Sequence, residues 1–84
     1  MKLFLISQTS NDGYDTYDEA VVCAETEEDA KTIHPDGYSI VTEEDEEKYS
    51  SSTWTTLNNV DVEYLGEAKE DSERGVICSS FNAG

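Results

Sequence analysis

Chemistry in this 84-residue chain would have to come from few side chains, and most of the candidates lack the neighbours that chemistry needs. Nucleophilic catalysis requires a base within hydrogen-bond reach of Ser, Thr or Cys. The single histidine, His34, directly precedes Pro35 at the end of a helical stretch, where its expected role is a last-turn cation favouring the helix dipole. Cys78, inside VICSSF, reads as a packed strand residue, because nothing beside it in sequence would lower its pKa. Two distant cysteines and one histidine give at most three zinc ligands, with no paired spacing. Asp12, Asp15, Asp18 and Glu19 crowd one loop, yet they do not follow the alternating pattern of an EF-hand. With 20 Asp and Glu in the chain, some pair will meet any glycosidase-like distance by chance. The five glycines stand singly at 13, 37, 66, 75 and 84, so there is no phosphate-cradling loop. The expectation is a non-enzymatic protein with no cofactor and no metal.

The carboxylates themselves are the dominant signal. Against 20 acids stand 5 Lys and Arg, for a formal net charge of -15. Direct binding to nucleic-acid phosphates needs clustered cations and is excluded, as is docking on an anionic membrane surface. The acids fall into five groups, at 12–19, 25–29, 43–47, 61–63 and 67–73. Self-repulsion at this density opposes compaction, so a functional reason is worth seeking. Duplex DNA carries one charge per about 1.7 Å, so a charge of -15 matches roughly 25 Å of duplex, about the width of a domain this size. Such a surface could occupy a Lys/Arg-lined groove on a basic partner such as a nuclease. The expected contact residues are Asp12, Tyr14, Asp15, Tyr17 and Asp18 in the first loop, with Glu43, Glu44, Asp45, Glu46 and Glu47 after the third strand. Tyr14 and Tyr17 are included because aromatics anchor protein interfaces; Trp54 reads instead as the cover of one end of the core. The alternative is a small structural or assembly adaptor whose acidity serves only solubility.

These residues need a scaffold. Length allows one domain, 1–84, and 43–58 is expected as a flexible segment within it. The longest apolar run, Leu3 to Ile6, is too short to span a bilayer or form a signal-peptide core, which points to the cytoplasm. Cys23 and Cys78, both inside apolar runs, are accordingly expected as buried, reduced thiols. Lys2 to Gln8 is apolar on both alternating faces, as for a strand with neighbours on each side. Thr9 to Glu19 is turn chemistry, and Ala20 to Ala24 is a second strand, hairpin-paired with the first. Thr26-Glu27-Glu28-Asp29 starts a helix with a capping hydroxyl and an acidic first turn, ending near His34 before Pro35. Tyr38 to Val41 reads as a strand and Glu43 to Tyr49 as a weak second helix. Val60 to Leu65 alternates, with Val60, Val62 and Tyr64 facing inward and Asp61 and Glu63 facing water. A charged connection, 66–75, long for a hairpin but within reach of one, leads to a last strand at Val76 to Phe81. The sum is an α+β fold: a small antiparallel sheet of four to five strands with one or two short helices on one face.

MKLFLISQ with YDTYDEAVVCAETEEDAKTIHP, and VDVEYLGEA followed by GVICSSFNAG, resemble short uncharacterised proteins of tailed phages and prophages. The resemblance covers roughly Met1 to Pro35 and Val60 to Gly84. It carries no established activity and so implies no catalytic residue. By size and charge the chain is also similar to the acidic phage inhibitors of host defence, the anti-CRISPR and anti-restriction DNA mimics. That similarity implies a host nuclease or CRISPR effector as the partner, met in the host cytoplasm.

Overall fold

The computed structural model describes residues 1–9, 16–37, 41, 53–55 and 57–82. Their elements run β1 (Lys2–Ser7), β2 (Thr16–Ala24), α1 (Glu27–Lys31), a 3-10 turn (Leu57–Asn59), β3 (Asp61–Glu67) and β4 (Gly75–Asn82). The four strands form one antiparallel sheet in the order β3-β1-β2-β4. The α+β expectation holds, with a four-stranded sheet and one short helix. The strand expected over Tyr38 to Val41 and the helix over Glu43 to Tyr49 lie outside the described residues except for Val41, which is buried.

The pleat sorts side chains strictly. Phe4 pairs with Val22, Ile6 with Ala20 and Lys2 with Ala24, so these residues share one face. Phe4, Ile6, Ala20, Val22 and Ala24 are all buried there. α1 lies over that face. Thr26 caps it in extended backbone (φ -139°, ψ 167°) and accepts a 3.0 Å bond from the Asp29 N–H, as its sequence foretells. The helix stops earlier than expected, because Thr32 already closes the last turn. Ala30 and Ile33 from this segment, with Val41, Trp54 and Val60, complete the core.

Three expectations about the sheet need correction. β2 begins at Thr16 rather than Ala20, since the Gln8 side chain and backbone hold its start: Nε2 donates to Tyr17 O (3.0 Å) and the amide donates to Asp18 O (3.3 Å). The charged connection does not close a hairpin, for β3 and β4 sit at opposite edges of the sheet. Ala68 to Arg74 must therefore cross from one side to the other. Gly66 (φ +149°) and Gly75 (φ +147°) mark its two ends, in a backbone region closed to most L-residues. Tyr64 is on the core side, edge-on to Phe4 at 5.8 Å, but at the sheet's rim it remains 49% exposed.

The opposite face is built from Leu3, Leu5, Ser7, Glu19, Val21 and Cys23 in the middle strands, with Asp61 and Glu63 on β3 and Cys78 on β4. Among the described residues no element packs over it, and Leu3, Leu5 and Val21 are half-buried. Cys23 is buried as expected, its thiol donating to Met1 Sδ at 3.7 Å. Cys78 is exposed, contrary to expectation, because its strand is an edge. Both thiols are free.

With one apolar layer, each core side chain carries a large share of the stability. Ile6→Ala should cost about 2–5 kcal/mol, whereas Glu63→Lys, on the exposed face, should stay within about 0.5 kcal/mol of the parent. Thermal melts compare the two; equal losses would mean that the faces are wrongly assigned.

Candidate functional site

Of the expected contact residues, Asp12, Tyr14, Asp15, Glu43, Glu44, Asp45, Glu46 and Glu47 lie outside the described residues. Tyr17 and Asp18 are described, and their surroundings differ from a loop. Both belong to β2, where the register against β4 shifts between Tyr17 and Glu19. Asp18 is the extra residue of that bulge, and its side chain is exposed. Tyr17 turns toward the core. Its ring stands edge-on to His34 at 5.9 Å and packs on Phe81 at 4.7 Å. It is half-buried, so it serves the fold as well as any surface.

His34 is likewise not the solvated cation expected at a helix end. It is 1% exposed, between Tyr17 and Trp54. The Asp36 N–H donates to Nδ1 at 3.0 Å, and Nε2 lies within hydrogen-bond reach of Thr53 Oγ1 at 3.3 Å. The Asp36 carboxylate stands 3.3 Å from Nδ1. A turn from Pro35 to Gly37, closed by the Gly37 N–H on His34 O (2.9 Å), locks this arrangement. Trp54, fully buried, lies at the ring's other side, as expected of a core cover. The ring's buried position and its contacts with Asp36 and Thr53 make it a tie between chain segments.

One ion pair was not legible in the sequence. Arg74, the chain's only arginine, donates through Nε to both Asp29 oxygens (3.0 Å each) and through a terminal nitrogen to Thr32 Oγ1 (3.0 Å). The Arg74 guanidinium holds the Asp29 carboxyl below the usual carboxylate range, and Asp29 in turn raises Arg74. The pair fastens the crossing connection to α1. A lone arginine among 20 acids announces some pairing, but only the strand order decides which acid receives it.

The remaining acids are outward and spread over both layers. Glu25, Glu27 and Glu28 are exposed around the start of α1, and Glu19, Asp61 and Glu63 are exposed on the uncovered sheet face. Among the described residues no Lys, Arg or His lies within ion-pair distance of these six. A cleft of about 450 Å³ opens between the α1 start and the β3 edge, with Phe4 and Tyr64 as its aromatic lining and Glu25 and Glu27 at its rim. Lys2 also lines it, with Nζ 3.5 Å from Glu25 O. The Tyr64 hydroxyl donates to Glu67 Oε2 at 2.8 Å, which raises the phenol above its ordinary range. Aromatic faces beside carboxylates suit a guanidinium or ammonium group. Among the described residues no three His, Cys, Asp or Glu converge as metal ligands, and no helix is long and apolar enough to cross a membrane.

No protein-family model, curated protein or solved structure matches the chain.

The Arg74 clamp has a defined pH signature. Because its partner's pKa is depressed, the pair contributes stability at pH values above the ordinary carboxyl range and loses it as pH falls through that range and below. Both side chains are partly exposed (46% and 31%), so Arg74→Met should cost about 1 kcal/mol, or roughly 4 to 8 °C of melting temperature, at pH 7. The gap between parent and variant should narrow below pH 4. Melts from pH 7 to pH 3 check this, and a constant gap would show that packing, not charge, is what Arg74 supplies.

Proposed function

We propose that this is a non-enzymatic phage accessory protein that binds and inhibits a basic, nucleic-acid-handling host protein, a nuclease or CRISPR effector, in the host cytoplasm. The observation that carries the reading is the set of exposed carboxylates on both layers, outside ion-pair reach of any described cation, in a chain of net charge -15. The only arginine is consumed inside the fold. What is left is a small body with little positive charge to offset the field it presents. Such a field accelerates association with a cationic groove and competes there with phosphate. The cleft that the exposed Tyr64 ring shares with Glu25 and Glu27 offers one place for a partner's Arg or Lys side chain. Charges arranged this way act together, so single replacements matter little and group replacements matter greatly.

Pull-down from a bacterial host lysate at low and at high salt tests the reading. The expected result is recovery of a DNA- or RNA-handling protein at low salt and its release at high salt. Replacing Glu43, Glu44, Glu46 and Glu47 with Gln should weaken that capture and flatten its salt dependence, with the melting temperature unchanged or slightly raised. Tight capture by the four-Gln variant at every salt concentration overturns charge imitation. Recovery of a virion protein alone favours the assembly-adaptor reading.

A further inference from the structure

The two edges of the sheet are built differently. β3, at one edge, carries Asp61, Glu63 and Glu67. β4, at the other, reads GVICSSFN and has no charged residue over eight positions. Its side chains from Ile77 to Phe81 are exposed, Ile77 to 56% and Phe81 to 46%. Natural edges are normally blunted by charge, proline or a bulge, since their outward N–H and C=O groups otherwise recruit another strand. β4 has neither charge nor proline. A register shift against Val21 and Val22 makes Ile77 an extra residue, but Cys78 to Asn82 continue beyond it with no further insertion on this strand. In a protein of net charge -15, this edge carries only the bulge at Ile77 to blunt it, and among the described residues no strand pairs with its outer side.

We propose that the β4 edge is a self-association surface. Two copies pair β4 antiparallel about a two-fold axis, joining two four-stranded sheets into one continuous sheet of eight. The inference is independent of the function proposed above. An uncharged strand gives a strongly basic partner nothing to neutralise, whereas it is the strip along which two acidic copies can approach most closely. The carboxylates of β3 lie three strands behind it, about 14 Å away by strand spacing. That exceeds the Debye length of about 8 Å at physiological ionic strength, so salt removes most of their mutual repulsion. Asp18 and Glu19 on β2 lie only one strand back and supply the repulsion that salt must screen. The pairing is isologous and uses up both free β4 edges, while the acidic β3 edges left outermost repel further copies. Assembly therefore stops at two. Edge pairing of five to eight residues covers roughly half the 800 Å² per partner of a standard interface, so the dimer is weak.

Sedimentation equilibrium of the full chain with reductant, from about 10 µM to 1 mM and at 0.05 and 0.5 M NaCl, tests this. The expected result is a monomer–dimer equilibrium that tightens at least tenfold at the higher salt, the opposite sign from capture of a basic partner. Ile77→Lys and, separately, Ser79→Lys should each abolish the dimer at both salts while leaving the melting temperature of dilute protein unchanged. Each lowers the net negative charge, so loss of dimer reports a blocked edge rather than greater repulsion. A chain that stays monomeric at 1 mM in 0.5 M NaCl overturns the proposal and leaves the edge to a strand from another protein. Dimerisation that survives both lysines, or that weakens with salt, overturns it as well.

Discussion

A single apolar layer has to hold together a body whose surface repels itself. The described core is one sheet face, one helical turn and the segment around Trp54, with 5220 Å² of surface over the whole molecule and a net charge of -15 on it. The other features follow from this shortage of apolar material. Trp54 and His34 are wholly inside because a small core needs large groups to fill it. The two central strands carry the most apolar sequences, since they must serve both faces. The acids are pushed to the rim, the helix start and the strand edges, where water screens them. The one arginine is placed where it ties the crossing connection to the outer side of α1.

The parts of this fold that could be read from the sequence are those set by local chemistry. KLFLIS announces a central strand by being apolar on both faces, and β1 does have neighbours on both sides. Thr26 with three acids after it announces a helix start, and its cap is formed. The alternation of Val62 and Glu63 was legible because β3 needs only one wet face. What escaped was set by distant partners. The start of β2 looked like a turn because Asp18 and Glu19 break the period, and a bulge absorbs the interruption only when β4 is present. The separation of β3 from β4 is a matter of strand order, to which no residue between them testifies. His34 and Cys78 were misjudged for the same reason. One is buried by Tyr17 and Trp54 from elsewhere, and the other is exposed because its strand has a neighbour on one side only.

The candidate surface shows the same division. That it is acidic was plain in composition. That it wraps both layers was not, because strand register and the position of α1 decide which carboxylates share a side. Tyr17 illustrates the difference between a residue type suited to contact and a residue free to make it: its ring is already occupied by His34 and Phe81. Among the described residues, Tyr64 combines exposure with a neighbouring carboxylate, although the period assigned it to the interior.

The strand order also dictates how the chain comes together in time. β1 and β2 close on each other across a short stretch of chain, so their hairpin can form early. Its two outer sides are completed only by β3 and β4, whose partners in the hairpin lie 52 to 66 residues away in sequence. At a synthesis rate of roughly 5 to 20 residues per second, the hairpin waits several seconds on the ribosome with both sides open. Pairings this remote also place the domain among the slower small folders, in milliseconds to seconds rather than microseconds. During that interval the emerging chain shields its apolar centre mainly by the negative charge around it, so acidity that burdens the finished fold protects the unfinished one.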